Sequence, residues 1–192
     1  MREGRRQLAY ACLIALVFGG VDQYLGASWV NNHVGLWPTS VSQLVAPWLT
    51  LPFVFGARER TARSAVVVGL CVTACGLLGY FLMTNSPIES VTLSQIHVGD
   101  FIRSQARLLA AGVVSGPLFG WLGFRWRLGK SRAALLLLAA AFCLEPAITR
   151  LVTSAPVQLP TPPDPGVSIA EVAVGLALGA YALLTPYRSA SD

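Results

Sequence analysis

Charged residues are scarce in this 192-residue chain. Asp, Glu, Lys and Arg make up 12% of it, about half of the ~25% typical of soluble domains, and hydrophobic residues make up 54%. The mean hydropathy is +0.60. This composition excludes a soluble globular enzyme, a disordered tail and a disulfide-rich secreted module, and it indicates a polytopic membrane protein.

The signatures of several enzyme classes are also missing. The sequence contains no DDxxD-type aspartate cluster, no P-loop, no H-E-x-x-H and no G-x-S-x-G motif. These absences argue against diphosphate-ionising prenyl transfer and against standard protease or lipase chemistry. The four cysteines form no C-x-x-C pair, so we expect packing residues. We expect no cofactor and no resident metal, and the alternative metal set of His97, Asp100 and Glu89 has no standard spacing.

Six stretches are long and apolar enough to cross a bilayer, for which a helix needs about 20 residues. The second stretch is short and contains Pro47 and Pro52, so we expect a kinked or locally opened helix there. The predicted fold is an all-α bundle of six transmembrane helices in a single domain that covers residues 1–192. The predicted spans are 8–27, 41–57, 64–84, 105–124, 132–152 and 169–187.

The basic residues predict an orientation for these spans. Eleven of the fourteen Lys and Arg lie before the first span, between the second and third, between the fourth and fifth or at the first residue of the fifth, or after the sixth. By the positive-inside rule, we expect both termini on the cytoplasmic side of the plasma membrane. The same asymmetry accounts for the net charge of +5 without a nucleic-acid partner. It also favours an uncleaved first helix over a signal peptide.

Small residues recur at four-residue spacing in several of the spans. The longest series is Gly112, Gly116 and Gly120, and Gly175 and Gly179 form a second one. Lipid gives helices no hydrophobic reason to associate, so flat faces of this kind allow transmembrane helices to pack closely. The pattern therefore predicts a compact bundle.

Three acidic residues, Asp22, Glu145 and Glu171, lie within predicted spans. An intramembrane carboxyl is costly to insert and is therefore a candidate functional group. Asp22 and Glu145 have similar predicted depths, and Glu171 lies above the face that Gly175 and Gly179 form. We predict that two or three of these carboxyls converge in one outer-leaflet pocket. Apolar surroundings there would keep at least one protonated and able to act as a general acid.

Aromatic residues are numerous around the predicted pocket, and their ring faces stabilise cations. Core packing or lipid contact is the alternative role for each ring. Arg107 is a candidate for substrate binding, although Arg107 and Arg150 are also alternative ion-pair partners for the acids. The candidate aromatic residues are Tyr24, Trp48, Phe53, Tyr80, Phe81 and Phe142.

Several segments carry a resemblance to known proteins, namely DQYLGASWVNN from Asp22 onward, VAPWLTLPFVFGA, GLLGYF, VSGPLFGWLGFRWR and AFCLEPAI. In order and spacing they resemble an uncharacterised actinobacterial family of small integral membrane proteins, a domain of unknown function. Residues 115–127 are the most specific part. That family commonly has Thr or Ser where Asp22 stands, so the extra carboxyl favours a specialised activity. In size and paired intramembrane acids, the chain is also similar to small membrane-bound meroterpenoid cyclases, which protonate an alkene or epoxide of a prenylated substrate.

Three functions are compatible with these features. The first is a terpene cyclase or isomerase that uses Asp22, Glu145 and Glu171 as catalytic acids on a prenylated or lipid-like small molecule. The second is a proton-coupled carrier, and the third is a non-catalytic membrane protein that binds a partner through its outer loops. The inner halves of spans 1, 4 and 5 are almost wholly apolar, which argues against a path through the membrane and favours an enzyme or a partner-binding protein over a carrier. Membrane lipids are expected partners, and homo-oligomerisation stays open.

Overall fold

In a computed structural model, the described part of the chain is built of α-helices. The structure describes residues 2–86, 99, 103, 105–128, 131–153 and 164–185, and no strand occurs among them. The predicted all-α class is therefore confirmed for this part of the chain. In chain order, the helices are α1 (Arg2–Gly26), α2 (Ser28–Val34), α3 (Leu36–Ser42), α4 (Ala46–Gly56), α5 (Ala62–Thr84), α6 (Ala106–Arg127), α7 (Arg132–Thr153) and α8 (Pro165–Leu184).

Five helices are long and apolar enough to cross a membrane, as judged by length and composition. They coincide with five of the six predicted spans, with bounds shifted by a few residues, and they indicate a multi-pass membrane protein. The spanning segments are Arg6–Gly26, Ala62–Thr84, Leu108–Arg127, Arg132–Leu151 and Pro165–Leu184.

The second predicted span, 41–57, is interrupted. Three residues separate α3, which ends at Ser42, from α4, which begins at Ala46. α4 has 11 residues, and a helix of that length measures about 16 Å, roughly half of the hydrocarbon core of a bilayer. Pro47 lies in the first turn of α4, where its missing N–H costs little, and Pro52 lies inside the helix. The structure does not confirm a sixth helix of spanning length, but it contains the opened segment that the prolines predicted.

α1 and α5 run in the same direction. Cys12 of α1 interacts with Cys75 of α5, and seven residues later Gly19 packs against Gly76 and the backbone of Tyr80. Because residue numbers rise together along the contact, the two helices are parallel. The chain between them must therefore return along the bundle, and it does so through α2, α3, the break and α4.

Small residues form the contacts between α5 and its neighbours. A side chain at Gly116 of α6 would meet the backbone of Gly69, and one at Gly120 would meet that of Ala65. Gly19 of α1 lies against the backbone of Gly76 in the same way. The helix backbones thus approach each other without bulky side chains between them, as the small-residue pattern predicted.

α7 and α8 form an antiparallel pair beside this group. Gly175 of α8 packs against Ala139 and Phe142 of α7, and Arg132 donates a hydrogen bond to the Thr185 carbonyl oxygen at 2.8 Å. An apolar cluster joins the pair to α4 and α6. Its buried members are Ala46, Phe53, Leu122, Ala134, Leu135, Leu138, Phe142 and Ala182.

Gly19→Ala should destabilise the protein more than Gly20→Ala. A methyl group at Gly19 would overlap the Gly76 carbonyl oxygen, whereas at Gly20 the nearest atom is the Gly79 carbonyl oxygen at 3.7 Å. Overpacking of this kind costs about 1–3 kcal/mol, so we expect Gly19→Ala to lower the unfolding temperature in detergent micelles by several degrees. Circular dichroism measures the unfolding temperature of both variants. Equal unfolding temperatures for Gly19→Ala and Gly20→Ala would contradict the close α1–α5 contact.

Candidate functional site

A carboxyl group from α7 caps the first turn of α4. Glu145 Oε1 accepts a hydrogen bond from Val45 N at 2.5 Å, and Oε2 accepts one from Ala46 N at 2.7 Å. The first N–H groups of any helix lack a partner within that helix, and inside a membrane water does not satisfy them. The helix dipole also favours a negative group at this position. Glu145 therefore makes the break before α4 tolerable in a membrane.

Glu171 of α8 lies next to Glu145. It is 4% exposed, its carboxyl interacts with that of Glu145, and its Oε1 has no hydrogen-bond partner among the described residues. Two of the three predicted acids thus come together from different helices. Two like charges this close in a membrane repel each other, so the pair is an unusual feature of the bundle interior.

Asp22 of α1 contacts the same turn of α4. It is 8% exposed, and its Oδ2 accepts a hydrogen bond from Trp48 Nε1 at 3.3 Å. Because Trp48 follows Ala46 by two residues, the start of α4 is held through its backbone by Glu145 and through a side chain by Asp22. All three predicted acids therefore gather around one helix terminus.

Asp22 also lines a cavity of about 200 Å³ between α1, the break, α4, α5 and α6. Val45 and Leu108 belong to the lining and are 56% and 42% exposed, so the cavity opens sideways, where lipid would lie. Asp22 is the one carboxyl in the described lining, and Glu145 and Glu171 do not contribute to it. The three acids therefore converge around the start of α4, but Asp22 is the one of them that lines the cavity.

Few polar side chains accompany Asp22 in the cavity. Thr73 is 8% exposed, and its hydroxyl has no hydrogen-bond partner among the described residues. Ser42, Gln43 and Ser115 complete the polar part of the lining. The buried Thr73 hydroxyl lies against Gly116 of α6, so the cavity offers a ligand few polar contacts besides Asp22.

Two aromatic residues, Trp48 and Tyr80, belong to the described lining of the cavity. Their rings meet edge to face, with centroids 6.4 Å apart and an interplanar angle of 69°. Phe18 packs edge to face against Trp48 with a centroid distance of 5.3 Å. Trp48 is thus fixed by two rings and by its hydrogen bond to Asp22. Aromatic rings beside a carboxyl are one arrangement that can stabilise a bound cation.

The other predicted binding residues lie elsewhere. Phe53 and Phe142 are buried in the apolar cluster that joins α4, α6 and α7, where they pack against other apolar side chains. Tyr24 and Phe81 lie on α1 and α5 but do not line the cavity. The side chain of Arg107 lies outside the described residues.

Sequence patterns did not identify Thr73 and Ser115 as site residues. Each lies among small residues of an apolar helix, Thr73 four residues after Gly69 and Ser115 directly before Gly116. A hydroxyl on a small-residue face is the signal that would have found them, because such a face lies against another helix and away from lipid.

The histidines do not contribute to the cavity as far as the structure describes it. His33 is exposed, its Nδ1 forms a 2.7 Å hydrogen bond with the Trp29 carbonyl oxygen, and its ring stacks on Trp29. His97, Asp100 and Glu89 lie outside the described residues. Within the described ranges, no three His, Cys, Asp or Glu side chains are placed to share a metal ion.

Comparisons with protein-family models, with curated proteins and with solved structures gave no match to this chain. The resemblance to the actinobacterial family and the layout shared with meroterpenoid cyclases therefore stay predictions. Function has to be inferred from the geometry of the site itself.

Glu145→Ala should destabilise the protein more than Glu145→Gln. Alanine leaves the Val45 and Ala46 N–H groups without an acceptor, and loss of a helix cap costs about 0.5–2 kcal/mol, whereas glutamine keeps one acceptor oxygen. We expect Glu145→Ala to lower the unfolding temperature in micelles by several degrees and Glu145→Gln to lower it less.

Glu59→Ala, at the other end of α4, is the control for this comparison and should leave the unfolding temperature unchanged. If Glu145→Ala unfolds at the same temperature as the control, the carboxyl does not stabilise the start of α4.

Proposed function

We propose that the protein is a membrane-embedded enzyme in which Asp22 protonates a prenylated or similar lipid-like substrate and so starts a cyclisation or isomerisation. The arrangement of the cavity carries this proposal. One described carboxyl, that of Asp22, lies beside the rings of Trp48 and Tyr80 in a space that opens toward lipid. Apolar surroundings favour the neutral form of a carboxyl, which is the form that donates a proton.

The proposed reaction is redox-neutral. The O–H bond of Asp22 breaks as a C–H bond forms at one end of an alkene, and a carbocation remains at the other end. The electrons of a second double bond close a ring onto this cation, or a neighbouring C–H bond loses its proton and the double bond shifts. The last proton released returns to the Asp22 carboxylate, so substrate and product are isomers. The faces of Trp48 and Tyr80 stabilise the cation, and the apolar lining excludes water.

The size of the cavity limits the reacting part of the substrate. Its volume of about 200 Å³ exceeds the roughly 150 Å³ of an apolar cavity that holds benzene. It is below the roughly 300–1,000 Å³ of pockets for drug-sized ligands. One or two isoprenoid units fit such a space, with the rest of the molecule outside in lipid. Val45 and Leu108 at the opening suit this entry route.

In this proposal, Glu145 and Glu171 are positioning residues. Glu145 holds the first turn of α4 through two backbone N–H groups, and Glu171 lies against it. That turn carries Val45 and Trp48, which line the cavity. The two glutamates therefore act on the reaction through α4, whereas Asp22 acts on the substrate directly.

A proton-coupled carrier is the second candidate, and the broken helix favours it. Discontinuous helices form ion and substrate sites in many transporters, and Glu145 with Glu171 would take up and release the coupling proton. The described residues that pack around Leu122 and around Val72 are apolar, however, and they offer no relay for a proton toward the basic end. We therefore place the enzyme first.

We also propose that the chain crosses the plasma membrane six times, with both termini on the cytoplasmic side. α1 and α5–α8 make five crossings, and α3, the break and α4 together make the sixth. The parallel course of α1 and α5 supports this topology because the chain between them has to return. The clustering of Arg58, Arg60 and Arg127 at one end of the bundle also supports it.

Cysteine labelling tests the topology in a variant without native cysteines. Asn32→Cys, in the exposed part of α2, should react with a membrane-impermeant maleimide in intact cells. Arg60→Cys, exposed at the basic end, should react after the cells are permeabilised. Labelling of both positions in intact cells, or the reverse pattern, would show that the proposed orientation is wrong.

Asp22→Asn should reduce turnover by about 10²–10⁴-fold, the contribution of a positioned general acid. Asparagine keeps the size and the hydrogen-bond acceptor for Trp48 but removes the acidic proton. The assay uses protein in lipid nanodiscs with geranyl- and farnesyl-substituted phenols in D₂O. Mass spectrometry should detect an isomerised product that carries one deuterium from the solvent.

Glu59→Gln is the matched control and should keep full turnover. Unchanged turnover by Asp22→Asn would refute the role of Asp22 as the acid. Proton uptake into liposomes that depends on the substrate, without any product, would favour the carrier.

A further inference from the structure

A second cavity lies at the basic end of the bundle. It has a volume of about 710 Å³ and lies between the first turns of α1, the turn after α4, the start of α5 and the end of α6. Arg58, Arg60 and Arg127 line it, and Glu59 is the one acid among its described lining residues. Three positive groups against one negative group make this space attractive to an anion.

Contacts with the backbone and with an aromatic ring hold two of the arginines. Arg127 Nη1 donates hydrogen bonds to the carbonyl oxygens of Arg58 at 2.9 Å and Ala57 at 3.3 Å. The Arg58 guanidinium lies over the Phe55 ring, 5.5 Å from its centroid. Guanidinium groups bind phosphate through paired N–H donors. Arginines held in this way therefore suit a phosphate ligand.

An apolar cleft continues from this cavity toward the middle of the bundle. It has a volume of about 170 Å³ and shares five lining residues with the larger cavity, namely Gln7, Leu8, Arg58, Glu59 and Val68. Farther in, Phe55 and Ile14 line it, and Ile14 is 49% exposed. The cleft therefore runs along a surface of α1 that would face lipid. A charged space that leads into an apolar cleft matches a ligand with a phosphate head and a hydrocarbon chain.

We infer that this end of the protein binds an anionic phospholipid, with the phosphate on Arg58, Arg60 and Arg127 and one acyl chain in the cleft beside Ile14. Lipid headgroups lie at the ends of membrane helices, and basic pockets between such helices bind anionic headgroups. A zwitterionic lipid would bring a cationic group toward the same arginines and would bind less well. The site is separate from the Asp22 cavity, so it does not depend on the proposed reaction.

Native mass spectrometry of the full chain in detergent tests this inference with dioleoyl phosphatidylglycerol, dioleoyl phosphatidylcholine and inorganic phosphate. The wild type should retain phosphatidylglycerol in preference to phosphatidylcholine. Arg58→Gln and Arg60→Gln should each weaken phosphatidylglycerol binding about fivefold, the effect of one basic side chain near an anionic lipid. Arg63→Gln is the matched control, because Arg63 is exposed at the same end but does not line the cavity.

Ile14→Trp separates a lipid from a free anion because it fills the cleft without changing the charge. This variant should weaken phosphatidylglycerol binding, and millimolar inorganic phosphate should not displace the lipid from the wild type. Displacement by phosphate together with unchanged lipid binding by Ile14→Trp would overturn the inference in favour of a free anion. An equal loss in Arg63→Gln would overturn it in favour of general surface attraction. Arg60→Gln alters an exposed side chain, so it gives a result even if Arg58→Gln fails to fold.

Discussion

The two hydrogen bonds from Val45 and Ala46 to Glu145 are the interaction on which the rest of the site depends. A helix that begins within a membrane exposes N–H groups that neither lipid nor its own backbone satisfies. Glu145 satisfies two of them with one side chain. Because it does so, the chain can open at 43–45, and the opened residues form one wall of the Asp22 cavity. The cavity and the break are consequences of the same cap.

Much of the fold could be predicted from the sequence because the membrane imposes simple rules. Apolar length fixed the five long helices, and the four-residue spacing of Gly112, Gly116 and Gly120 identified the face that packs on α5. Pro47 and Pro52 marked the segment that opens. The position of the opening was harder to predict. A proline is tolerated in the first turn of a helix, so Pro47 begins α4 and the helix is interrupted at the residues before Pro47.

The site could be predicted only in part. The cost of burying a carboxyl singled out Asp22, Glu145 and Glu171, and all three do lie around the start of α4. Their separate roles could not be predicted, because the partners of Glu145 are backbone N–H groups, which every residue other than proline carries. In the sequence, Phe53 and Phe142 look the same as Trp48 and Tyr80, because all four are aromatic residues in apolar segments. Only tertiary packing shows which rings are buried in the core and which line the cavity.

The distance along the chain between α4 and its cap has a consequence for how the protein is made. Ala46 and Glu145 are 99 residues apart, so at about 5–20 residues per second the ribosome completes α4 roughly 5–20 s before Glu145 is synthesised. During that interval, α4 is too short to cross the bilayer and its first N–H groups lack their acceptor. It has to remain beside water or within the insertion machinery until α7 arrives. In the six-crossing topology that we propose, the second crossing would therefore be completed only after the fifth has been made.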